Sequence, residues 1–235
     1  MSRIVWDQEG ERLYETGVDH GVIYPMTANG GYENGTAWNG LTAVNDSPSG
    51  GEVTKLYADN IDYLSLMSVE ELGLGVEAYT YPDEFAECDG SASVTNADGT
   101  VTFTGVTAGQ QTRKHFGFIY RSLIGNDLLG TDYGYKIHVV FNCLASPSEK
   151  SHSTVNDSPE ATTLSWDFAT TKVELPNGKK TSGIEIDSTK VTAEQLVDFE
   201  DLIYGSATSE PTFPTFNDII RIFTPSQTGE TTGEG

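Results

Sequence analysis

Four histidines, two cysteines and a few acidic pairs are the side chains of this sequence that could do chemistry. His20, His115, His138 and His152 share no helical or C-x-x-C-like metal spacing, and the sequence holds neither an HExxH zinc motif nor a GxSxG nucleophile elbow. His138 falls on the polar face of an alternating run and His152 in a Ser-rich loop, so each is expected to be a solvated or hydrogen-bonded imidazole rather than a ligand or base. Cys88 and Cys143 have no redox or metal spacing and read as small buried hydrophobes, with a bridge between them as the alternative if the fold brings them together. Asp59-Asn60-Ile61-Asp62, and Asn126-Asp127 with Asp132, are the best clusters for calcium or for paired carboxylates. They lack the EF-hand grammar and its terminal bidentate Glu, and turn formation explains them more cheaply. Gly73-Leu-Gly75-Val-Glu-Ala78 fits GxGxxA but lies inside an alternating strand pattern, not at a strand-to-helix turn. No enzyme, metal or cofactor is expected.

Charge narrows the classes further. Thirteen basic and 35 acidic side chains give −22 at pH 7, an excess that repels phosphate backbones and anionic lipid. A conventional nucleic-acid binder and a peripheral membrane protein are therefore disfavoured. No apolar run follows Arg3, so no secretory leader is expected. No membrane-length apolar stretch occurs, and the unpaired cysteine usage fits a reduced, intracellular origin. The N-glycosylation patterns at Asn34, Asn45 and Asn156 then read as coincidences of polar loops.

The elements that must position any site are mainly strands. Gly, Pro, Asn and Asp punctuate short β-branched and aromatic runs over 235 residues, the texture of one large antiparallel β domain, a sandwich or barrel. Residues 134 to 146 set Tyr135, Ile137, Val139, Phe141 and Cys143 on one face; residues 162 to 174 set Leu164, Trp166 and Phe168 on one face. Phe141, Trp166 and Phe168 are expected in the core. Weaker strands cover 13 to 24, 36 to 44, 52 to 58, 61 to 67, 73 to 81, 100 to 106, 114 to 124 and 181 to 187, and Asp98-Gly99 marks a hairpin turn. One flanking helix, about 192 to 204, is announced by the Thr192/Gln195 capping box, the apolar stripe Leu196, Phe199, Leu202 and Ile203, and Gly205 beyond its end. A short turn is expected between Pro82 and Glu87. Residues 1 to 12 read as an N-terminal arm, 13 to 205 as the domain, and 206 to 235 as a C-terminal arm with a disordered tail from Pro225. Within that arm Ile219, Ile220, Ile222 and Phe223 are too apolar for a solvated tail. They read either as a segment that orders on assembly or as an extra core strand. The loop Asn45-Asp46-Ser47-Pro48-Ser49-Gly50-Gly51 is longer than a hairpin needs and reads as an interaction loop.

Several runs together resemble the major tail (tail tube) protein family of long-tailed siphophages. They are Gly17 to Pro25, Ala37-Trp-Asn-Gly-Leu41 leading to Lys55-Leu-Tyr-Ala-Asp-Asn60, Glu71 to Tyr79, and Ser153 to Pro159 followed by Thr163 to Thr171. The resemblance spans most of residues 13 to 204. It implies a β-sandwich or barrel flanked by a helix, forming hexameric rings that stack into a hollow tube for DNA passage. It further implies homotypic partners, together with tape-measure, baseplate and tail-terminator proteins, and a virion location after assembly in the host cytoplasm. Contacts between rings would fall on residues 44 to 53, Met1 to Tyr24 and Ser206 to Phe223. Six copies at −22 each would give a ring −132, and an acidic lumen offers DNA no cation to hold it.

A β-sandwich carbohydrate-binding or adhesin module is the alternative from another class, with Tyr32, Trp38 and Tyr133 as exposed stacking aromatics. A glycoside hydrolase with paired carboxylates comes third.

Overall fold

The computed structural model describes residues 3–152, 154, 157 and 161–224. The tail from Pro225, and most of the 153–159 run that contributes to the family resemblance, lie outside the described residues. Among the described residues fourteen strands and two helices follow one another. They are β1 (Tyr14–Pro25), β2 (Thr36–Trp38), β3 (Leu41–Asp46), β4 (Val53–Ala58), β5 (Ile61–Met67), β6 (Gly73–Ala78), β7 (Ala92–Thr95), β8 (Thr102–Ala108), β9 (Phe116–Asn126), β10 (Gly130–Ala145), β11 (Leu164–Thr170), β12 (Val173–Glu174), β13 (Lys180–Thr181), β14 (Gly183–Asp187), α1 (Ala193–Tyr204) and α2 (Phe216–Phe223). A 3-10 turn at Asp83–Phe85 occupies the expected Pro82–Glu87 segment.

Eight strands form one antiparallel sheet in the order β2-β1-β9-β10-β11-β6-β3, with β14 also on β10. The sixteen-residue β10 is its corner. Residues Lys136 to Val140 pair with β14, and only Cys143 to Ala145 pair with β11. The β11-β6-β3 half thereby folds back over β1-β9-β10 as a sandwich, and an aromatic core fills the gap: Trp38, Phe85, Phe116, Phe118, Trp166 and Phe168. On the opposite face of β1-β9-β10, Val22, Tyr24, Ile119, Val139 and Phe141 form a second core under the helices. Alternation along the strands feeds both cores, with Ile23 entering one and Val22 and Tyr24 the other. The three expected core residues are therefore split, Trp166 and Phe168 on one side of the sheet and Phe141 on the other.

Cys143 corrects the expected face of β10. Asn142 adopts φ +47°, the pairing with β9 slips between Val140 and Cys143, and this bulge turns Cys143 away from Phe141 into the aromatic core. Asn tolerates the left-handed region better than most residues, and here its Oδ1 accepts from the Tyr32 hydroxyl at 3.0 Å. Cys88 is buried in the same core. Burial pushes the Cys88 thiol up to about 12 and raises Cys143 as well. Both thiols should resist an aromatic disulfide reagent in the native protein and react fully after denaturation; fast native labelling of either would show that the core is not closed there.

α1 begins with both halves of the Thr192/Gln195 capping box, and Gly205 follows it at φ +81°. Phe199 and Ile203 are fully buried, and Leu196 and Leu202 pack at their flanks. A second helix replaces the expected C-terminal arm. Thr215 and Asp218 cap α2 reciprocally, and Ile222 is buried while Ile219 and Phe223 pack against the same core. Ile219, Ile220, Ile222 and Phe223 thus form neither a strand nor a free arm, and Ile220 is the one left exposed. The fold continues past residue 205 because Phe213 is driven into the core, edge-on to Tyr24 and Phe141. A Cβ on Gly117 would run into the Phe213 ring. Gly117→Ala is expected to cost about 1–3 kcal/mol by overpacking, measured as a lower urea midpoint; an unchanged midpoint would place Phe213 elsewhere.

Candidate assembly surface

The features outside the two cores are two-stranded hairpins. β4 and β5 pair from Val53↔Met67 to Ala58↔Ile61 around Asp59 and Asn60, whose φ of +52° and +64° make the two-residue turn that suits a hairpin. Asp59 and Asn60 are therefore turn formers. Every residue of the hairpin except Ala58 is exposed, among them Val53, Leu56, Tyr57, Ile61, Tyr63, Leu64, Leu66 and Met67. Leu56 and Leu64 face each other across the ladder, with Leu66 beside them opposite Thr54. An isolated two-stranded hairpin is marginally stable at best, and solvent-exposed strand edges invite pairing with another chain.

The loop 45 to 51 belongs to the same unit. Asn45 and Asp46 end β3, Ser47 exchanges backbone hydrogen bonds with Gly73, Ser49 does so with Glu71, and the Ser68 amide donates to Glu52. Partners keep one register from Asp46↔Leu74 out to Leu56↔Leu64, so residues 41 to 78 form one ribbon, rooted in the sheet by β3 and β6. Asn45 to Gly51 are the knuckle of this ribbon, not a free loop. Gly50, at φ +78°, lies where a Cβ would strike the Val69 carbonyl, so the ribbon strands can close there only on glycine.

A second exposed hairpin, β7–β8, presents Val101, Phe103 and Val106, and its turn is tied by Asn96 to Val101 and by Asp98 to Thr100. Ile4, Val5, Trp6 and Leu13 are exposed, as are Leu128 and Leu129 in the β9–β10 turn. Gly10 donates to Asp127 there, and Asn126 donates to the Gly10 carbonyl. Only residues upstream of Tyr14 can serve as an arm, because Val22, Ile23 and Tyr24 are core.

The polar clusters around His138 and Arg121 are part-buried and hydrogen-bonded within the fold. His138 stacks on Tyr120 at 4.5 Å, its Nε2 lies 2.9 Å from the Ser122 hydroxyl, and burial lowers its pKa. A cleft of about 370 Å³ beside it is lined by Asp46, Tyr120, Lys180, Ser182 and Glu185. Arg121 holds Asp19 through two hydrogen bonds at 2.7 and 2.8 Å, which keeps the Asp19 carboxyl below its usual range. Among the described residues no three His, Cys, Asp or Glu side chains converge as a metal would require, and no helix is long and apolar enough to cross a membrane. Trp38 is buried with its indole nitrogen donating to the Thr80 carbonyl at 2.9 Å, and Tyr32 lies against Phe213. The sugar-stacking role assigned to Trp38 therefore fails for want of exposure.

No protein-family model matches this chain, and no curated protein matches its sequence.

Proposed function

We propose that this chain is a structural subunit that assembles with copies of itself into stacked rings forming a hollow tube, of the siphophage tail-tube type, with DNA passing through an acidic lumen. The observation that carries the reading is the ribbon ending in β4–β5, an apolar hairpin that its own fold leaves uncovered. Burying half of its eight large apolar side chains would contribute on the order of 6–12 kcal/mol before the cost of association is deducted. Tape-measure, baseplate and terminator proteins would start, measure and stop such a tube in phage.

Negative-stain microscopy and light scattering of the purified protein across a salt series test this. Rings or tubes are expected, with an onset that moves to lower protein concentration as salt rises, because salt screens repulsion between copies at −22 each. A protein that stays monomeric throughout and binds a glycan would overturn the reading in favour of a binding module.

A further inference from the structure

Among the described residues, positive charge without an acid partner collects at one exposed tip of this acidic chain. Eight of its thirteen cations sit in ion pairs. Three of the other five, Lys172, Lys179 and Lys180, are gathered on the β12–β13 hairpin. Among the described residues none of the three has an acid within ion-pair distance, although Glu174 stands opposite Lys180 in the ladder. Lys179 and Lys180 are exposed, as is Pro176 at the turn, while Val173 anchors the hairpin against the helical core.

α1 carries the opposite pattern on its outer face. Glu194, Asp198 and Asp201 recur at helical spacing and are exposed, with Val197, 55% exposed, among them. None of the three has a cation partner among the described residues, whereas Glu200 is used within the fold, accepting from the Tyr135 hydroxyl at 2.6 Å. Like charges three and four apart weaken a helix, and Asp201 meets the negative end of its dipole. No cation among the described residues offsets this.

Resting on the self-assembly proposed above, we infer that the β12–β13 tip of one copy docks on the outer face of α1 of the next, with Pro176 against Val197 and the lysines over Glu194, Asp198 and Asp201. The occupant is a second copy because each patch supplies the charge that the other lacks, and because the rest of the chain repels a polyanion. The two surfaces differ, so the contact is head-to-tail and propagates around a ring or along a stack. It also gives copies at −22 a local attraction that orients their approach.

Charge exchange tests it, read by sedimentation velocity at about 0.15 M salt, with circular dichroism melts as the folding control. K179E/K180E alone, and E194K/D198K/D201K alone, should each weaken self-association at least about tenfold. A one-to-one mixture of the two, in which every contact has complementary partners, should return to within about threefold of wild type, as should the chain carrying all five substitutions. If the wild type assembles and K179E/K180E assembles equally well, this contact is wrong while the assembly reading stands. If the wild type never assembles at any salt, both fall together. If K179E/K180E loses only binding to a duplex-DNA probe, the tip serves an anionic polymer and the contact is overturned.

Discussion

Removal of residues 53 to 67, with Glu52 joined to Ser68 through an Asn-Gly turn, should yield a protein that folds as before and no longer assembles. Glu52 and Ser68 already face each other in the ribbon, so a two-residue turn closes the ladder without disturbing Ser49 and Glu71 below it. Neither core contains a residue of β4 or β5, so stability should change by about 0.5 kcal/mol or less. Assembly should fall below detection, since the variant forfeits several kcal/mol of apolar burial between copies. The triple variant L56D/L64D/L66D keeps the backbone and should do the same. Deleting only Pro48 to Gly51 is a poorer test, because it breaks the Ser49–Glu71 bridge and throws the ribbon out of register. Rings that form normally from the hairpin-deleted protein would remove the ribbon from the assembly surface.

What made this surface hard to read from sequence is that periodicity reports a strand and not what covers it. Residues 52 to 58 and 61 to 67 alternate like half-buried strands, and Asp59-Asn60 reads as turn chemistry. Their shared register with β3 and β6 depends on pairings that only the folded chain displays. The knuckle at Asn45 to Gly51 was legible as unusual, but its glycines were open to a flexible-loop reading until Gly50 was seen against the Val69 carbonyl. α1 was legible because cap, stripe and terminal glycine agree. α2 was not: Pro211 and Pro214 precede it, its capping acid is Asp rather than Glu or Gln, and its eight residues give too little periodicity to separate a helix from a strand. One left-handed residue, Asn142, turned Cys143 to the other side of its strand, a change that alternation cannot foresee.

The division into two cores is itself testable. Phe168 is ringed by Trp38, Phe85, Phe116 and Phe118, and Trp166 touches Trp38 and Phe85 as well, so each loses a dense aromatic environment on truncation. Phe168→Ala and Trp166→Ala should each cost about 3–5 kcal/mol, read from urea unfolding. That is a large share of the ~5–15 kcal/mol that holds a typical domain together. Phe141 packs instead on Phe213 and Phe216 across the sheet. Phe→Leu substitutions, mild enough to keep the double variants folded, separate the cores. Because Phe141 and Phe168 share no ring partner, their effects should add within about 0.5 kcal/mol. Phe168→Leu combined with Trp166→Phe should miss additivity by about 0.5 kcal/mol or more, since both lean on Trp38 and Phe85. Strong coupling between positions 141 and 168 would mean that the sheet does not separate them. The β10 corner would then need a different register from the one set by the Asn142 bulge.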